Sequence, residues 1–130
     1  MGRVRAEKQI RIGLLVGFAV SALGASSASA HHSFAMFDSQ KKITLEGTVK
    51  AFQWTNPHSW IQLMVTDASG KEVEWALEGA SPNVMVRAGW KRNTLKPGDK
   101  VVAVLNPLKD GTPGGSWTDI TVNGVKMKAR

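Results

Sequence analysis

Residues 43–51 read Ile43-Thr44-Leu45-Glu46-Gly47-Thr48-Val49-Lys50-Ala51. Apolar side chains at Ile43, Leu45, Val49 and Ala51 alternate with polar ones at Thr44, Glu46, Thr48 and Lys50, the period of a strand with one buried face. Gly47 interrupts the apolar face, which predicts a bulge or a sharp bend in a long strand. The period returns twice downstream. A second strand is expected over 60–66, with Ile61, Leu63 and Val65 on one face and Trp60, Gln62 and Met64 on the other. A third is expected over 72–78, with Val73, Trp75 and Leu77 inward and Glu72, Glu74 and Glu78 on a solvated face. Asn56-Pro57 makes 53–59 a turn or loop, and Asp67-Ala68-Ser69-Gly70 makes a tight connection.

The pattern then changes. Ser81-Pro82 is an N-cap followed by proline at the first helical position. Val84, Met85 and Ala88 sit at helical spacing and Gly89 can end the helix, so a short helix is predicted over 82–89. Lys96-Pro97-Gly98-Asp99 turns the chain into a fourth strand, 100–105. Residues 106–115 (NPLKDGTPGG) read as a loop and 116–122 as a fifth strand. Asn123-Gly124 is a hairpin turn, after which Val125–Lys128 can fold back as a short extra strand. The order strand, strand, strand, helix, strand, strand describes an all-β domain with one short helix. It fits an OB-like five-stranded Greek-key β-barrel, whose closure hides strand edges. An open β-sandwich and a barrel with a loop in place of the helix are the alternatives. In an OB-like barrel the connections between strands one and two and between strands four and five flank the binding face. Here they carry His58 and the segment 106–115.

Outward from the domain, the N-terminus has the three parts of a secretory signal. Residues 1–11 hold Arg3, Arg5, Lys8 and Arg11 against Glu7; residues 12–25 hold no charge; Ala28-Ser29-Ala30 is a small-residue exit. The expected organisation is a cleaved signal over 1–30, an arm over 31–42 pinned by Phe34 and Phe37, and the barrel over 43–128. The apolar run falls short of the ~20 residues of a membrane span. The expectation is a periplasmic protein with no membrane span after cleavage. Four bases and one acid leave with the signal, so 13 bases and 9 acids remain, a net charge of +4 against +7 for the whole chain. That excess is scattered, as on a solvated surface, and nucleic acid is not an expected partner. The chain has no cysteine, which removes thiolate catalysis, zinc–thiolate sites, iron–sulfur clusters and a lipid-anchored cysteine.

Three stretches, His31-His32-Ser33-Phe34-Ala35-Met36-Phe37-Asp38, Thr55-Asn56-Pro57-His58-Ser59-Trp60 and Leu95-Lys96-Pro97-Gly98-Asp99, resemble the signatures of a bacterial family. Its members are small exported proteins classed as a domain of unknown function. The resemblance covers essentially all of 31–125; the first two motifs are fairly specific and the third is a generic turn. It implies an envelope OB-like domain and no settled activity.

The chemistry rests on three histidines: His31, His32 and His58. Cleavage after Ala30 makes His31 the first residue, and its α-amine and ring Nδ1 can chelate one metal ion. A free α-amine titrates near ~7.7–8.0, so a metal can displace its proton at neutral pH. An imidazole from His58 completes three nitrogens, a set that favours Cu(II). The arrangement is similar to the histidine brace of copper oxygenases and copper carriers. His32, Met36, Asp38 or Met64 would add a weak or alternative ligand. Against this stands a plainer account, in which His31 and His32 are a frayed polar terminus and His58 braces the Asn-Pro loop.

The rival is a metal-free interaction module. Trp54, Trp60 and Trp117 would form a face for a protein, a glycan or a small apolar ligand. A structural partner in an envelope complex fits the same residues. A redox enzyme of the oxygenase kind is the weaker alternative, because such enzymes need an extended substrate surface and the mature chain leaves little room for one. Ser33, Ser59 and Ser81 lack a Gly-x-Ser-x-Gly setting, Gly111–Gly115 lacks a phosphate-loop lysine, and Glu72, Glu74 and Glu78 read as a solvated strand face. Copper carriage or buffering is the expected role, with copper as the only cofactor in view.

Overall fold

A computed structural model describes residues 34–128. His31, His32 and the proposed signal lie outside them. Six strands follow a short 3-10 turn over Phe34–Met36: β1 (Ile43–Gln53), β2 (Trp60–Thr66), β3 (Glu72–Glu78), β4 (Lys100–Pro107), β5 (Gly114–Val122) and β6 (Val125–Met127). One helix, α1 (Pro82–Arg87), separates β3 from β4. β1 pairs antiparallel with both β2 and β4, β2 with β3, and β4 with β5. The parallel pairing of β3 with β5 closes the ring. The result is a closed five-stranded OB-fold barrel; β6 folds back on β5 as a hairpin.

Alternation along the strands fills the barrel. Ile61, Leu63, Leu77, Ala103, Leu105 and Ile120 are fully buried. Each of the larger ones contributes about 1.5–3 kcal/mol by leaving water. Met85 of α1, Trp90 and Leu95 join the same cluster, so the segment between β3 and β4 packs into the core. Trp90 stacks on Trp117 with ring centroids 5.4 Å apart, and its indole N–H donates to the Lys128 carbonyl.

The structure amends the sequence expectations in several places. The register shift in β1 falls between Val49 and Ala51, not at Gly47. Gly47 instead marks a close approach, because a Cβ there would run into the Met64 carbonyl and the Leu63 side chain. It precedes Thr48, which pairs with Lys100 on one edge and Met64 on the other, so the strand passes from β4 to β2 at this point. The helix ends at Arg87 rather than 89, and the Ser81 side chain makes no cap; its carbonyl accepts from Val84 and Met85. β4 runs on to Pro107 and β5 begins at Gly114, so the loop between them is shorter than expected. Phe37 does pin the arm, buried and bridged to Leu108, whereas Phe34 is 74% exposed.

The largest correction is Glu78. It lies on the same strand face as Glu72 and Glu74, yet it is 4% exposed while they are solvated. Glu72 and Glu74 pair only with β2. Glu78 sits where β3 is flanked on both edges, by Trp60 of β2 and Ser116 of β5, beneath the connection that carries His58.

Candidate functional site

The connection between β1 and β2 is held down at its far end. Ser59 donates its backbone N–H and its hydroxyl to the Ala80 carbonyl, at 3.0 and 2.9 Å, and accepts from the Gly79 N–H through its own carbonyl. Ser59 is fully buried, with its hydroxyl also against the Met85 sulfur. Thr55 closes the loop on itself by donating its hydroxyl to the His58 carbonyl. These bonds fix the backbone of His58 against the end of β3, and its ring follows.

The His58 Nδ1 lies 3.0 Å from the Gly79 carbonyl and 3.3 Å from Oε1 of Glu78. A carbonyl oxygen only accepts, so Nδ1 carries the proton. In the neutral ring the lone pair is then on Nε2. The side chain is 29% exposed, so the ring is reachable from solvent. This is the posture of a metal-binding imidazole, which commonly donates its second N–H to a carbonyl or carboxylate.

His58 and Glu78 line a cavity of about 270 Å³ together with Phe34, Pro57, Val84 and Trp117. The walls are largely apolar, and two buried polar atoms of the lining have no partner: Oε2 of Glu78 and the indole N–H of Trp117. Native proteins leave few such atoms unpaired, and those they do leave call for a reason such as a ligand or an ion. Among the described residues the one ion-pair contact of Glu78 is His58.

The other expected ligands fall elsewhere or outside view. Asp38 lines a separate cavity with Pro107 and Leu108, and its carboxylate accepts from the Gln40 N–H. Met36 is exposed, and its carbonyl accepts from Lys109. Met64 lines a third cavity, with Glu46 and Lys100. Among the described residues no three His, Cys, Asp or Glu side chains gather as a metal site. The tryptophan face also changes character. Trp117 is 3% exposed and belongs to the core, because the register shift between β4 and β5 pairs it with the inward-facing Leu105. Trp54 is half-buried, edge-on to Phe52, and Trp60 is half-buried on β2.

Fold and cavity together define a class: a small OB-fold barrel with a histidine–carboxylate pair beneath its first interstrand loop. Among the described residues no helix is long and apolar enough to cross a membrane. The chain belongs to a family of unknown function (DUF6152), whose model matches residues 19–118. No curated protein matches it. Among solved structures it is similar to the mitochondrial single-stranded DNA binding protein Rim1 from S. cerevisiae. The match has 10% identity and a TM-score of 0.48, and it covers 64% of this chain and 93% of that one.

Proposed function

We propose that this protein is exported to the periplasm, loses residues 1–30, and binds copper as a carrier or buffer. The ligands are the α-amine and imidazole of His31 and Nε2 of His58, with His32 as an auxiliary. One observation carries the proposal. Phe34 lines the same cavity as His58, and position 31 precedes it by three residues, a chain length of at most about 11 Å. The Gly79 carbonyl adds support, since it takes up Nδ1 and leaves Nε2 as the atom of the neutral ring that can bind a metal.

The test begins by establishing the mature N-terminus by mass spectrometry, followed by Cu(II) titration monitored by absorbance and electron paramagnetic resonance. His58→Ala should weaken binding by more than the ~10–100-fold that loss of an outer-shell partner costs, and His32→Ala by less. Retaining residues before His31 should abolish tight binding. Affinity should fall as pH drops from 8 to 5, because protons compete for amine and imidazole nitrogens. Identical spectra and affinities for wild type and His58→Ala would sink the proposal.

The apolar walls favour one second reading, a metal-free module that takes a small apolar ligand or a partner's side chain in the same cavity. It expects indifference to the N-terminus and sensitivity to Val84, whose side chain lines the cavity.

A further inference from the structure

We propose that the segment joining β3 to β4 is a docking surface that holds the mature protein against a bilayer carrying anionic phospholipid. The inference is independent of the copper site. Residues 79–98 contain Arg87, Lys91, Arg92 and Lys96 and no acidic residue. The rest of 34–128 holds 8 bases and 9 acids, so the net positive charge of the barrel lies in this one stretch. All four basic residues are exposed, and among the described residues none of them makes an ion pair. The fold gathers them. Met85 and Trp90 are buried and anchor the stretch, which leaves Val84, Val86, Arg87, Lys91 and Arg92 on its outer side. The Trp90 N–H donates to the Met85 carbonyl and the Thr94 N–H to the Lys91 carbonyl, which keeps the turn compact. The Trp90 indole N–H, bonded to the Lys128 carbonyl, brings a further exposed lysine to the same corner.

Apolar side chains lie beside these charges. Val86 is 59% exposed, Val84 36% and Phe34 74%, three of the six large hydrophobic residues that the described part leaves in water. Phe34 and Val84 line the same cavity and are therefore neighbours. Exposed apolar groups gathered beside charged ones mark an interaction surface. A nucleic acid or an acidic polymer would reward the bases and leave these side chains in water. A bilayer rewards both. Its headgroups are negative, and apolar side chains sink about 5–10 Å into the boundary beneath them. Each base held near an anionic surface contributes about fivefold in partitioning, a gain that shrinks with added salt.

The experiment is flotation of the mature protein with vesicles of mixed phosphatidylglycerol and phosphatidylcholine, against vesicles of phosphatidylcholine alone, at low and at high salt. A chelator is present throughout, so that the copper site plays no part. Wild type should float with the anionic vesicles at low salt and be released at high salt. Lys91→Gln combined with Arg92→Gln should weaken partitioning about 25-fold. The same pair of changes at Lys41 and Lys42, exposed bases on the arm, should weaken it by less than about twofold. Phe34→Ser and Val86→Ser should each weaken it about 3–10-fold with the salt dependence unchanged, because they remove apolar area and no charge. All these positions are exposed, so each variant should keep the wild-type Tm. No flotation of wild type, equal flotation with the neutral vesicles, or equal losses from the two lysine and arginine pairs would overturn the proposal. Full affinity in Phe34→Ser and Val86→Ser, with tight binding of a single-stranded oligonucleotide, would also overturn it and mark the stretch as a polyanion site instead.

Discussion

A methyl group added at Gly79 would lie 2.6 Å from the Ser59 hydroxyl and 2.6 Å from the Trp117 indole nitrogen. Both neighbours are buried and neither can yield easily. Gly79→Ala should therefore cost about 1–3 kcal/mol, the range for overpacking a tight site, and chemical denaturation would measure it. Because the Gly79 carbonyl orients His58, the same variant should also weaken Cu(II) binding. His58 was legible as a candidate, since histidines are few and this one sits on a loop. Its partner was not. Alternation assigns Glu78 to water along with Glu72 and Glu74, and nothing in a two-residue period reports which part of a strand a neighbouring loop will cover. The signal that was available is the crowding of Ser59, Gly79 and Ala80, small residues that let two backbone segments approach.

At the scale of elements, glycine hid the start of β5. Gly114 and Gly115 read as loop residues, yet both are buried and pair with Ala76 and Leu77 of β3. A Cβ on Gly115 would meet the Leu105 side chain and the Asn106 carbonyl, so no larger residue fits where the barrel closes. Gly115→Ala should open the β3–β5 pairing first, seen as faster amide exchange at 76–78 before global unfolding. The turns carry a different load. Asp67 accepts from the Ser69 hydroxyl and the Lys71 N–H, which lowers its pKa. Asp99 is lowered by the Lys96 N–H and the Asn123 side chain, and Asp110 by the Thr112 hydroxyl and N–H. A carboxyl group lowered in the folded state adds stability above the ordinary aspartate value of ~3.9, and that stability disappears as pH falls through the lowered value. On account of these three turns, Tm should hold steady from pH 7 to 5 and decline below about 4. Asp99→Asn should flatten part of that decline in a series of melts across pH.

At the scale of the whole molecule, barrel closure decides where the chemistry sits. Parallel pairing of β3 with β5 brings Ser116 beside Glu78, and the loop between β1 and β2 lies over that junction. The sequence by itself determined the strands, their inward faces, the short helix and the hairpin at Asn123-Gly124, because these follow from side-chain period and local backbone preference. It also determined the candidate ligands, because imidazoles are scarce in this chain. Only the tertiary structure decided that Trp117 joins the core, that Glu78 is buried, and that His58 touches its carboxylate at the rim of a cavity. Burial of an outward strand position depends on what crosses above it. That covering comes from residues about 20 positions away in the chain, beyond the reach of any local pattern.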